Sequence, residues 1–64
     1  MKAKIINLID LSYYSEKYHF ILDGKHANYS QMLKYVIQSD AVKFYTLEDN
    51  ENKVVTVLGG IFKL

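Results

Sequence analysis

The sequence predicts one small α+β domain, residues 1–64, built as ββαββ. The expected form is an antiparallel sheet with one amphipathic helix packed on one face. Three observations carry this. Residues 28–39 repeat their apolar positions at helical spacing behind a capping signal. The segments on either side alternate with period two and are rich in β-branched and aromatic residues. Finally, 64 residues make one domain and no more.

Lys2 to Leu11 reads as the first strand, with Ala3, Ile5, Asn7, Ile9 and Leu11 on one side and Lys4, Ile6, Leu8 and Asp10 on the other. Both sides are apolar in the middle, which is unusual for a strand with one wet face. The polar stretch Ser12 to Glu16 breaks it, with the turn placed at Ser15-Glu16, and Lys17 to Leu22 forms a second strand. Asp23-Gly24 is a turn signal.

Asn28 opens the helix as N-cap, and Gln31 stands three residues on, as a capping box requires. Tyr29, Met32, Leu33, Val36 and Ile37 then form one apolar stripe, and Tyr35 is expected to face outward. Ala41 to Leu47 returns to alternation, the run from Glu48 to Asn52 reads as a polar hairpin loop, and Lys53 to Leu58 is a strand of high β-propensity. Gly59-Gly60 breaks or bulges it, and Ile61 to Leu64 ends the sequence on mostly apolar residues. Each ββ pair is close enough in sequence to form a hairpin.

A chain of 7.5 kDa should bury about 6,600 Å² on folding, leaving about 4,250 Å² accessible. If about 60% of the buried area is apolar, it contributes roughly 100 kcal/mol. Ordering the residues costs roughly 96 kcal/mol. With no cysteine, disulfides and thiolate metal sites are excluded. Tight packing or a second subunit must supply the margin.

Eight lysines face seven carboxylates, and arginine is absent. This balance argues against a polyanion-binding tail and against acidic mimicry of DNA, and it leaves no bidentate fork for phosphate or guanine. Lys, Ile, Asn, Tyr and Phe make up 27 residues, with no Arg, Pro or Trp, which is the amino-acid bias of an AT-rich genome such as that of a low-GC bacterium, its phage or a mobile element. No secretory segment or membrane-spanning run is evident, so the expected compartment is the cytoplasm.

One short helix cannot cover both faces of a four-stranded sheet, yet the strands are apolar in both registers. A homodimer partner, another protein or the Ile61–Leu64 tail is therefore expected over the second face or along an edge strand, and two-fold dimers are the commonest assembly. The tyrosines add to this. Tyr13, Tyr14 and Tyr18 surround the first turn with Lys17, and Tyr35 lies beside Lys34. Tyrosine is enriched at protein interfaces. Interleaved with lysine it also suits base stacking, although plain rim packing is the simpler explanation. The expected partner-binding residues are Ile6, Leu8, Tyr13, Tyr14, Lys17, Tyr18, Ile21 and Tyr35.

Chemistry is thinly represented. His19, Asp23 and His26 could form an open metal site only by converging through loop geometry, and solvated side chains are the plainer reading. The serines fit caps and turns, and Glu48, Asp49 and Glu51 fall in the expected loop, where nothing would tune them for acid–base work. No catalytic residue, metal ligand set or cofactor site is expected. The sequence reading is a small non-catalytic protein-binding module that regulates or inhibits a partner by stoichiometric binding. A nucleic-acid binder using the Tyr/Lys surface is the first alternative and a small metal-binding protein the second.

Overall fold

A computed structural model describes residues 1–62, with side chains through Gly60. The elements are β1 (Lys2–Asn7), a 3-10 turn (Leu8–Asp10), α1 (Leu11–Lys17), β2 (His19–Leu22), β3 (Lys25–Ala27), α2 (Tyr29–Ser39), β4 (Ala41–Asp49) and β5 (Val54–Phe62). The α+β class holds, and the ββαββ plan is recognisable once two short elements, α1 and β3, are added. The accessible surface, 4599 Å², is close to the roughly 4,250 Å² that size alone implies.

The five strands lie in the order β1-β4-β5-β2-β3. All neighbours are antiparallel except β5 and β2, which are parallel. The sheet is thus mixed rather than purely antiparallel, and β1 and β2 do not form a hairpin. It follows that β1 runs parallel to β2, with α1 between them in sequence, and β3 runs parallel to β4, with α2 between them. Each connection crosses over two intervening strands, and the two run in opposite directions along the sheet. A half-turn about the sheet normal relates them, so the strong preference for right-handed crossovers places both helices over the same face. Their shared core confirms this: Leu11 of α1 and Met32 of α2 pack with Ile6, Phe20, Ala41, Phe44 and Val55.

The first strand ends at Asn7 rather than Leu11 because the following apolar residues are spaced for a helix. Leu8, Leu11, Tyr14 and Tyr18 recur every three or four positions and pack on the core, while Ile9 is 86% exposed. Ser15 and Glu16, expected as a turn, lie inside α1. Asp23 and Gly24 both adopt positive φ (53° and 76°), the two-residue geometry that joins β2 to β3 with Leu22 opposite Lys25.

In α2 the capping box forms as expected. The Gln31 amide donates to Asn28 Oδ1 and the Asn28 amide to Gln31 Oε1, both at 2.8 Å. Such a cap contributes about 1 kcal/mol. The buried stripe is turned relative to the expected one. Met32 is fully buried and Val36 half-buried, but Tyr29 and Ile37 are exposed. Tyr35 faces inward instead, its ring 5.9 Å from that of Phe44.

The β4–β5 hairpin extends further than expected. β4 runs through Asp49, and β5 continues past the glycines to Phe62, with a register shift opposite Tyr45 and Thr46. Ile61 and Phe62 therefore continue the sheet, pairing with Lys43 and Ala41. The rest of the Ile61–Leu64 tail, Lys63 and Leu64, lies outside the described residues.

Gly60 is opposite Phe44 on the helical side, and a Cβ placed there would meet Ala41 Cβ at 2.9 Å and the Tyr35 hydroxyl at 3.3 Å. A Cβ on Gly59 would meet nothing within 4 Å. Gly60→Ala should lower stability by about 1–3 kcal/mol through overpacking, whereas Gly59→Ala should change it by no more than about 0.5 kcal/mol. Urea denaturation of the two variants against the parent chain measures both.

Candidate functional site

Because both helices lie on one side, alternation assigns the other face of the sheet directly. In β4, Phe44, Thr46 and Glu48 are buried, so Lys43, Tyr45, Leu47 and Asp49 point the other way. Register then adds Ala3 and Ile5 from β1, Val54 and Thr56 from β5, His19 and Ile21 from β2, and His26 from β3. Leu58 sits at the register shift, between Val57 opposite Thr46 and Gly59 opposite Tyr45.

The part of this face formed by β1, β4 and β5 is apolar and uncovered. Ile5, Tyr45 and Leu58 are 55%, 50% and 60% exposed. With Ala3, Lys4 and Thr46 they line an open groove of about 590 Å³. Gly59, opposite Tyr45, adds no side chain to this face. Single exposed apolar side chains are ordinary, but a contiguous group is not.

On the helical side the structure brings together the tyrosines of α1 and its C-terminal cap. Tyr14 lies 5.5 Å from Tyr13 edge-on and 5.4 Å from Tyr18. Lysine ammonium groups flank all three rings: Lys17 at 5.4 Å from Tyr13, Lys4 at 5.9 Å from Tyr14 and Lys53 at 5.4 Å from Tyr18. Lys4 Nζ also donates to the Tyr14 hydroxyl at 3.3 Å and sits 3.6 Å from Glu48. The hydrogen bond to Tyr14, aided by Glu48, holds the Lys4 ammonium pKa above its ordinary value. The Tyr18 hydroxyl donates to Asn50, and desolvation, followed by the Glu48 charge, pushes its pKa up. Glu48, expected in a solvated loop, is 4% exposed within β4, and Lys4 reaches it from two residues along the neighbouring strand.

The sequence-predicted binding residues therefore divide. Tyr13 and Lys17 are exposed, with Tyr14 and Tyr18 half-buried beside them. Ile6 is buried at 2% in the core, and Leu8 and Tyr35 pack against it, so these three form no free surface. Ile21 is half-buried on the open face. The exposed residues of that face, Ile5, Tyr45 and Leu58, were missed. Ile5 and Tyr45 lie one position from buried neighbours, and Leu58 is marked only by the glycines that follow it.

His19 and His26 meet on the open face with ring centroids 5.9 Å apart. Asp23 does not complete a site with them. Among the described residues no group of three or more His, Asp or Glu side chains is placed to hold a metal, and no helix is long and apolar enough to cross a membrane. No family model, curated protein or solved structure matches this chain.

At one end of the face, Asp49 organises the β4–β5 turn. Its Oδ1 accepts from the amides of Glu51 and Asn52, both at 3.1 Å, and its Oδ2 accepts from Asn52 Nδ2 at 2.9 Å. These bonds, the Asn52 side chain's first, hold its carboxyl pKa below the ordinary carboxylate value. A depressed folded-state pKa contributes stability that is full above the unfolded value and is lost as pH falls through the folded one. The urea midpoint should therefore decline from about pH 4 downward, and Asp49→Asn should flatten that decline. Midpoints of both chains across the acid range test this.

Proposed function

We propose that this chain is a non-catalytic protein-binding module that regulates or inhibits its partner by stoichiometric occupation, and that the open face of the sheet is its working surface. The observation that carries this reading is the contiguous exposure of Ile5, Tyr45 and Leu58 around one groove, on the face opposite both helices. Completing the burial of a half-exposed side chain of this size contributes about 1 kcal/mol, and aromatic residues at the centre of a patch commonly carry a large share of binding energy.

Replacing Tyr45 with glutamate should abolish capture of the partner from the source cell while leaving the thermal midpoint nearly unchanged, because the side chain is already half in water. Ile37→Glu, on the exposed side of α2, serves as the control and should retain capture. Equal capture by wild type and Tyr45→Glu would remove the open face from consideration.

The cluster of Tyr13, Tyr14, Tyr18 and three lysines favours a second reading, a surface for single-stranded nucleic acid. Against it, the lysines already lie over the rings, so stacked bases would have to displace them. This reading expects fluorescence anisotropy of a labelled oligonucleotide to rise at low salt and fall as salt increases. A flat titration at low salt excludes it.

A further inference from the structure

We infer that the occupant of the open face is a second copy of this chain, packed face to face about a two-fold axis that runs the two β4 strands antiparallel. This rests on the reading of that face as a binding surface; self-association and capture of another protein then compete for the same residues.

The charge pattern along β4 is the first reason. The open-face residues of this strand are Lys43, Tyr45, Leu47 and Asp49: a cation, two apolar residues and an anion in order. A strand with this pattern is complementary to itself when reversed. With the axis at the level of Thr46, Tyr45 of each copy lies over Leu47 of the other, and Lys43 comes to Asp49 at both ends. The parallel alternative sets lysine against lysine and aspartate against aspartate. Electrostatics therefore chooses between the two orientations, as charge pairs at the rim of an interface commonly do.

The second reason is size. β4 and β5 have nine residues each, and at about 3.3 Å per residue they run the length of the molecule. The molecule as a whole extends 34 by 21 by 21 Å, so the face that carries the sheet is at most of the order of the roughly 800 Å² per partner that a stable interface needs. Aligned sheets pack about 10 Å apart, a gap that Tyr45 and Leu58 from both copies can fill and an extended lysine can cross.

The test uses the unmodified chain and a zero-length carbodiimide cross-linker, which joins an amine to a carboxylate only where they touch. Within one chain Lys43 and Asp49 are six residues apart on a single strand, about 20 Å, so a bond between them can form only between copies. Sedimentation should show a dimer that forms as concentration rises between roughly 1 µM and 1 mM, the range of modest interfaces. Peptide mapping of the cross-linked dimer should recover Lys43 joined to Asp49. Lys43→Glu should weaken the dimer roughly tenfold, and Tyr45→Glu by more.

A chain that remains monomeric throughout that range overturns the inference, and partner capture through Tyr45 would then still stand by its own experiment. A dimer without the Lys43–Asp49 bond, undisturbed by Lys43→Glu, overturns the register. If Tyr45→Glu nevertheless disperses that dimer, the open face survives as a binding surface and only its antiparallel geometry fails.

Discussion

The handedness of the two crossovers governs the arrangement of this domain. β1–α1–β2 and β3–α2–β4 run in opposite directions along the sheet, and each must turn the same way. Both helices consequently arrive on one side, where Leu11, Met32, Phe20, Phe44 and Val55 close into a single core. No connection is left to cross the other side. The exposed group around Ile5, Tyr45 and Leu58 is thus a product of topology, present however well the core is packed.

The helical side has its own polar arrangement, and it depends on pairings between distant parts of the chain. Lys2 is paired with Glu48 in register, and Lys4, one repeat along β1, reaches the Glu48 carboxylate and the Tyr14 hydroxyl together. A carboxylate as buried as Glu48 is tolerated only with a partner, and α1 supplies the tyrosines that screen the pair. The Tyr/Lys cluster is accordingly part of how α1 is fastened to β1 and to the β4–β5 turn.

What could be read from the residues was what is decided locally. The Asn28–Gln31 capping box and the Asp23-Gly24 turn are chemistry between near neighbours, and both stand in the structure. α1 was illegible because Leu8, Leu11, Tyr14 and Tyr18 lie in a stretch whose first half also alternates as a strand, and Asp10 makes no side-chain cap to mark the start. β3 is three residues long, too short for any pattern. The apolar content of both strand faces correctly implied an uncovered surface, but alternation does not say which parity faces the helices. That is decided by the β1–β4 register, so the sequence offers Ile6 as readily as Ile5, and it is Ile5 that is exposed. Tyr35 falls off the apolar stripe that helical spacing predicts, beside Lys34, yet its ring packs on Phe44.

The pairing pattern also bears on the order in which the molecule is made. Lys2 is matched with Glu48 and His19 with Val54, so neither β1 nor β2 finds its long-range neighbour until β4 and β5 exist. During synthesis only the β2–β3 hairpin and the two helices have local partners, and pieces this small are marginal by themselves. The β4–β5 hairpin is the pairing that β1 and β2 then join, one on each side. The apolar segments made first thus have no sheet to join until β4 and β5 emerge, an interval in which exposed apolar chain is prone to associate wrongly.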